Sequence, residues 1–256
     1  MIRVSDYIMD CLHANGVKHI FMVTGRGTLF LSDAVAGHKE LKSVSMHHEQ
    51  AAAYAAVAYA DYSEKLGACL VSTGCASTNA LTGVLNAWQD GIPCAFISGQ
   101  NKLNETSRFT GIPVRTFGQQ EADIIPIVES VTKYAVMITD PHQIAYEMEK
   151  ALHLAQTGRK GPVWIDVPLD IQNMRIEPEE LEHFVIENGS NYDPLPEDIQ
   201  YVTRALRRSE RPAILIGSGI RSADAVQDLE AFLEKHPIPV AYAGSAPDIY
   251  GIDNSL

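Results

Sequence analysis

The chain has 256 residues, with 20 Lys and Arg against 32 Asp and Glu, a formal net charge of −12 and 46% hydrophobic residues. That length accommodates one or two domains and buries roughly 70–75% of the unfolded surface, so no disulfide or metal staple is required. The composition excludes a disordered chain, and the acidic balance excludes a general nucleic-acid binder, which needs surplus positive charge to displace counterions.

The N-terminus turns polar at Ser5-Asp6 and carries no signal-peptide apolar core. Residues 5–15 show helical spacing and end at Gly16, a C-cap signal. His19-Ile20-Phe21-Met22-Val23 is a short apolar run that stops at Thr24-Gly25-Arg26-Gly27, as a buried strand entering a loop does. Residues 42–46 form a weaker strand, followed by an alanine-rich helix over 49–62. Its longest wholly apolar run, 51–60, is too short to span a bilayer, which takes ~20 residues. A strand over 67–72, a Thr73-Gly74 turn and a helix over 79–88 follow, then a strand over 93–98 ending at Gly99. A helix over 141–157 and a strand over 162–167 close the series. Continuous apolar strands alternating with helices predict an α/β fold with a doubly wound parallel sheet covered on both faces.

Composition then shifts. Between Ile176 and Thr203 there is no Lys or Arg but eight acidic residues, punctuated by Pro178, Pro194 and Pro196. This reads as an acidic surface linker over 175–196. A second unit over 197–256 has a helix at 198–208, a strand at 212–216, the turn Gly217-Ser218-Gly219, a helix at 223–234 and a strand at 238–241. Two strands fall short of a typical sheet of about 4–6, so this reads as the incomplete beginning of a Rossmann-like α/β domain. Cys11, Cys69, Cys75 and Cys94 lack CxxC spacing and read as reduced thiols. The expectation is a soluble cytoplasmic protein without membrane or nucleic-acid partners.

In open parallel sheets the ligand crevice lies at the carboxyl ends of the strands. Four segments converge there: Val23-Thr24-Gly25, His47-His48-Glu49, Ser72-Thr73-Gly74-Cys75 and Gly99-Gln100. A zincin helix needs a second His four residues after His48, where Ala52 stands, so that metal motif fails. No Gly-x-Ser-x-Gly elbow occurs, and Cys75 has no evident base beside it. Gly25-Arg26-Gly27 and Gly217-Ser218-Gly219 are fragments of a dinucleotide fingerprint, and tight strand-to-helix turns explain both equally. Glu49 opens a helix whose small side chains permit close packing. Read locally, it either stabilises the helix N-terminus or, poised between dipole and burial, shares a proton with a ligand nitrogen.

His48-Glu49-Gln50-Ala51 followed by Ala55-Ala56-Val57-Ala58-Tyr59-Ala60 resembles the N-terminal signature of thiamine-diphosphate enzymes of the acetolactate synthase type. Ser72-Thr73-Gly74-Cys75-Ala76-Ser77-Thr78-Asn79 is similar to that family's Thr-Ser-Gly-Pro-Gly-Ala-Thr-Asn loop. Asp90-Gly91-Ile92-Pro93 with Ile97-Ser98-Gly99-Gln100, Gln120-Glu121-Ala122-Asp123-Ile124, Thr132-Lys133 and Gly161-Pro162-Val163-Trp164-Ile165-Asp166-Val167-Pro168-Leu169-Asp170-Ile171-Gln172 match later landmarks in order. Residues 212–219 resemble the start of the family's central domain.

The resemblance implies a pyrimidine-binding domain over 1–174 and a cofactor, thiamine diphosphate, shared across a homodimer or homotetramer. It implies that Glu49 bonds the pyrimidine ring nitrogen as the catalytic residue. It places Ser72, Cys75, Ala76 and Asn79 near the cofactor, Thr24 and Gly25 facing its reactive end, and Gln120 on the substrate side. The implied substrate is a small 2-keto acid, decarboxylated or ligated to an acceptor. Cys75-Ala76 stands for the family's Pro-Gly, Gln119 for its Phe, and Met22–Arg26 for Gly-Tyr-Pro-Gly-Gly, which points away from acetolactate synthase activity itself. No Gly-Asp-Gly segment occurs, so Mg²⁺ ligands are expected in a domain absent from this chain, which is expected to be inactive alone. The rival readings are a non-catalytic subunit of a split thiamine-dependent enzyme and a nucleotide-binding protein built on the Gly217 turn, with FAD or ADP as ligand.

Overall fold

Side chains that alternate along a strand face opposite sides of a sheet, so a strand apolar at every position requires cover on both faces. The computed structural model describes residues 1–186 and 194–249, and the chain divides into two compact units, Met1–Ile186 and Glu187–Leu256. The first unit runs β1 (Ile2–Arg3), α1 (Val4–Ala14), β2 (His19–Met22), α2 (Leu29–Gly37), β3 (Lys42–Ser45), α3 (Glu49–Ser63) and β4 (Gly67–Val71). It continues through α4 (Cys75–Asn79), α5 (Leu81–Asp90), β5 (Cys94–Gln100), α6 (Ser107–Thr110), α7 (Ile125–Val128) and β6 (Tyr134–Met137). Helix α8 (Ile144–Gln156), β7 (Pro162–Pro168), α9 (Leu169–Asn173) and β8 (Arg175–Ile176) complete it.

Strands β2 to β7 form one six-stranded sheet in the order β3-β2-β4-β5-β7-β6, every neighbouring pair parallel. Every residue of β4, β5 and β7 is buried. Ala68, Leu70, Ala95, Ile97, Val163 and Ile165 pack with α1, α2 and α8 on one face. Cys69, Val71, Cys94, Phe96 and Trp164 pack with α3 and α5 on the other. Phe96 and Trp164 pair in register across β5 and β7, and their rings stack 5.8 Å apart. The doubly wound parallel sheet expected from the sequence is the fold observed.

Helix α1 stops where expected. Gly16 donates to the His13 carbonyl and Val17 to that of Leu12, the paired closure of a Schellman cap. Helix α3 owes its position to small side chains: Ala52, Ala53, Ala56 and Ala60 are at most 1% exposed. A Cβ added at Gly83 of α5 would lie 2.5 Å from the Ala53 Cβ, and one at Gly67 would lie 2.5 Å from the Ala56 carbonyl oxygen. The two helices and the sheet therefore approach to backbone distance.

The structure departs from the sequence reading in several places. Helix α2 and edge strand β6 were not expected, the latter because Tyr134, Ala135 and Val136 are only half-buried and show no sharp periodicity. The helix expected over 79–88 begins earlier and is broken at Ala80 into α4 and α5. The acidic stretch expected as a linker from 175 starts inside the first unit: β8 pairs antiparallel with β1, and Ile176 and Leu181 join the core. Burial of Ile176 and Leu181 there outweighs the acidic composition. Residues 187–193 of that stretch, and Asp253 and Asn254, lie outside the described residues.

In the second unit β9 (Ile214–Ile216) and β10 (Val240–Tyr242) pair in parallel, joined through α11 (Gly219–Ser222) and α12 (Val226–Lys235), with α10 (Pro196–Arg208) preceding them. This is one βαβ crossover, packed on Ile216, Ala246 and Ile249.

The tight α3–α5 contact makes a contrast in stability measurable. Gly83→Ala gains helix propensity of about 1 kcal/mol but overpacks, and the expected net is a destabilisation of about 1–3 kcal/mol by denaturant unfolding. Gly37→Ala, where an added Cβ meets nothing within 4 Å, is expected to be neutral or stabilising by up to about 1 kcal/mol.

Candidate functional site

From β2 the chain moves to the edge strand β3, then returns to place β4 on the other side of β2. The loops after β2 and β4 thus diverge at a topological switch point, where open α/β sheets form their ligand crevice. A cavity of about 200 Å³ opens there, lined by Thr24, Gly25, Arg26 and Gly27 after β2 and by Glu49 at the start of α3. Ser72, Thr73 and Ala76 after β4, Gln100 and Asn101 at the end of β5, and Gln119, Gln120 and Leu169 complete the wall.

The loop after β2 is held from below. Gln172, fully buried, donates from Nε2 to the carbonyls of Gly27 at 2.6 Å and Val167 at 2.8 Å. The Gly27 amide donates to Ser72 Oγ at 3.1 Å, tying the β2 loop to the β4 loop. Glu49 is the first residue of α3 and half-buried, in the position where a helix favours negative charge. Asn79, the last residue of α4, donates from Nδ2 to Glu49 Oε2 at 2.6 Å. Oε1 accepts no hydrogen bond from the described residues.

The opposite wall is a segment of irregular backbone. Gln120 is a non-glycine residue at φ 57°, in the left-handed region that costs about 1–2 kcal/mol. Gly74, at φ 66°, packs directly on it: a Cβ there would lie 1.8 Å from the Gln120 carbonyl oxygen. Buried Glu121 holds the segment by accepting from the amides of Ser107 at 3.1 Å and Phe117 at 2.8 Å and from Ser107 Oγ at 2.7 Å. Asn101 Nδ2 donates to the Gln119 carbonyl at 3.0 Å. A strained residue facing a cavity, fixed by its surroundings, is the pattern of functional positions.

Beneath the cavity floor lies a buried polar chain. Trp164 Nε1 donates to Ser98 Oγ at 2.8 Å, and Ser98 donates to Asp166 Oδ1 at 2.6 Å. Gln100 Nε2 donates to Asp166 Oδ2 at 3.1 Å and to the Ala122 carbonyl at 3.1 Å. Burial pushes the Asp166 carboxyl up to about 7, although the hydrogen bonds from Ser98 and Gln100 favour the charged form.

Of the residues singled out in the sequence, Thr24, Gly25, Glu49, Ser72, Ala76 and Gln120 line one cavity. Asn79 reaches it through Glu49. Cys75 is exposed at the start of α4 and not among the lining residues. Sequence reasoning missed Asn101, and it quoted Gln100, Asp166 and Gln172 only within matching segments without giving them a role; the signal for Asp166 was a polar residue interrupting an apolar strand. Among the described residues, no group of three or more His, Cys, Asp or Glu side chains is placed to hold a metal ion. No described helix is long and apolar enough to cross a membrane.

Residues 2–127 match the thiamine pyrophosphate enzyme N-terminal TPP binding domain, and residues 199–256 match the central domain of the same enzymes. The chain belongs to the thiamine pyrophosphate enzyme family. Thiamine pyrophosphate is another name for thiamine diphosphate. The acetolactate synthase large subunit of Corynebacterium glutamicum is 32% identical over 226 residues, covering 86% of this chain and 34% of that protein. That of Lactococcus lactis is 32% identical over 241 residues, 92% of this chain and 40% of the relative. The chloroplastic acetolactate synthase of Arabidopsis thaliana is 29% identical over 259 residues, 98% of this chain and 37% of the relative. The chain thus spans between a third and two fifths of these curated relatives. Every residue lining the cavity except Leu169 falls within the matched N-terminal domain.

Asp166 sets a measurable pH dependence. Its folded value of about 7 lies above the ordinary 3.8, so its contribution to stability is full below about pH 4 and is lost as pH rises through about 7. The expected loss is on the order of 4 kcal/mol. Asp166→Asn removes this slope in unfolding experiments run from pH 4 to 8.

Proposed function

We propose that the cavity takes the aminopyrimidine half of thiamine diphosphate, and that the protein decarboxylates a small 2-keto acid or joins its remainder to an acceptor. The observation that carries this is Glu49: a carboxylate on the cavity wall with Oε2 held by Asn79 and Oε1 without a partner among the described residues. The residues fit the group. At about 200 Å³ the cavity is smaller than the roughly 300–1,000 Å³ that encloses a whole drug-sized ligand, a size suited to one ring of the cofactor. Its walls are hydroxyls and carboxamides that can match ring nitrogens and an amino group.

Bound there, thiamine diphosphate supplies an electron sink for the pair left when carbon dioxide departs from a 2-keto acid. Glu49 Oε1 would share a proton with a pyrimidine ring nitrogen, while Asn79 holds the other carboxylate oxygen. The α3 N-terminus favours its negative charge. Gln120 would face the substrate side, and Thr24 and Gly25 the reactive end of the cofactor, with the backbone at Gln120 held in the left-handed region against Gly74. The chain carries no Gly-Asp-Gly segment, and among the described residues no three His, Cys, Asp or Glu side chains are grouped to hold a metal ion. We assign the diphosphate and its Mg²⁺ to a domain other than the two units described, contributed by the neighbouring subunit of a homo-oligomer of the full-length protein.

The test uses the full-length protein with thiamine diphosphate, Mg²⁺ and pyruvate, followed by carbon dioxide release. Glu49→Gln is expected to lower kcat by roughly 10²–10⁴-fold, and full activity in that variant overturns the role. Asn79→Asp sets a second carboxylate against Glu49, and like charges raise carboxyl pKa values. The acid limb of the pH–rate profile is then expected to move up by about one to two units.

A further inference from the structure

The cavity wall that carries Glu49 carries a cation as well. Among the lining residues Arg26 is the only Lys or Arg, and apart from Glu49 the polar lining is hydroxyl or carboxamide. Arg26 starts the short 3-10 turn Arg26–Thr28 after Gly25. The next residue is pinned on both sides, its carbonyl by Gln172 at 2.6 Å and its amide by Ser72 at 3.1 Å. The guanidinium Nη1 donates to Gln119 Oε1 at 2.6 Å, and Gln119 sits on the segment anchored by Asn101 and Glu121. A neutral carboxamide thus orients the guanidinium without neutralising it.

Among the described residues no Asp or Glu pairs with Arg26. A guanidinium has five N–H donors in a planar fork, and one of them is taken by the protein. The others are available to a ligand. An oriented cation without a counter-charge on a cavity wall is built to receive a carboxylate or phosphate, the anions whose geometry matches the fork.

The reaction class restricts which anion that is; this step rests on the proposed function. A carboxylate that leaves as neutral carbon dioxide loses its charge on the way. An ion pair to it would stabilise the ground state more than the transition state and slow the reaction. An anion that survives the reaction carries no such penalty. The geometry points to Arg26 as a specificity-determining residue that selects a substrate retaining a carboxylate or phosphate other than the group lost.

Two measurements on the full-length protein test this. In the first, inorganic phosphate and malonate are titrated calorimetrically into protein free of cofactor, so the outcome is independent of catalysis. Wild type is expected to bind at least one of them in the millimolar range, and Arg26→Gln to bind it about tenfold more weakly or less, while Glu49→Gln binds it no more weakly than wild type. Absence of binding to wild type, or affinity unchanged in Arg26→Gln, overturns the inference. In the second, with cofactor, Mg²⁺ and pyruvate, glyoxylate and glyceraldehyde 3-phosphate are compared with uncharged acetaldehyde as acceptors, and 2-oxoglutarate with pyruvate as donors.

The ratio of kcat/KM for the charged over the uncharged partner is expected to fall at least tenfold in Arg26→Gln and further in Arg26→Glu. The partner affected says whether the retained anion is a carboxylate or a phosphate, and on which substrate. An equal fall for charged and uncharged partners marks a merely structural residue and overturns the inference. If wild type shows no thiamine-dependent carbon dioxide release, the proposed function fails, and the titration still decides whether Arg26 is an anion site.

Discussion

Everything at the site depends on the register of three parallel strands buried on both faces. Val71 of β4 pairs with Ser98 of β5, and Ser98 pairs with Asp166 of β7. Below that level the strands are apolar because each residue meets one of the two core clusters. Above it the helical cover gives way to loops, and the polar residues Ser72, Thr73 and Gln100 face the cavity. In β2 Met22 pairs with Leu70, so Thr24 follows two residues later and reaches the same cavity. A slip of one residue in any strand would turn its side chains to the opposite face and separate these groups.

The buried carboxylate at that level is the most expensive part of the arrangement. Asp166 is 1% exposed, and burial favours its neutral form. Its two donors, Ser98 and Gln100, stabilise the charged form instead. Gln100 is thereby fixed in one amide orientation, since Nε2 faces Asp166 and Ala122 while Oε1 accepts from the Asn101 amide. Replacing Asp166 by an apolar residue would spare the desolvation cost but release Gln100, and with it one anchor of the segment that carries Gln120. The network links the rigid sheet to an irregular loop, and its value lies in that link rather than in net stability.

Much of this was legible in the sequence, for a physical reason. The strand ends announce themselves where apolar runs stop, so Thr24, Glu49 and Ser72 could be picked out, while Gln120 came from the family resemblance alone; all four line the cavity. The alanine spacing of α3 likewise signalled close packing, now seen against Gly83. What stayed hidden depends on partners distant in sequence. Ser98 and Asp166 are 68 residues apart, and Gln172 and Gly27 are 145 apart; only strand register and the α9 position bring them together. Edge strand β6 was hidden because half-burial blurs its alternation. The acidic composition after Ile176 misled in the other direction, because Ile176 and Leu181 anchor the start of that stretch while Glu179, Glu180 and Glu182 face water.

The two walls of the cavity are held by different means, and the difference matters for what each can do. Glu49 stands on a regular helix packed at backbone distance against α5 and β4, so its position is as rigid as the sheet. That suits the proton-sharing role proposed for it. Gln119 and Gln120 stand on irregular backbone that includes a left-handed residue, held by side-chain hydrogen bonds from Asn101, Ser107 and Gln100. Such a wall can change its side chains without disturbing the sheet. Arg26 bridges the two, rooted by its neighbour in the β2 loop and oriented by Gln119 across the cavity. A fold that must keep one chemistry while varying its substrate would place the invariant group on the helix and the selective groups on the loop. The positions of Glu49 and Arg26 follow that division.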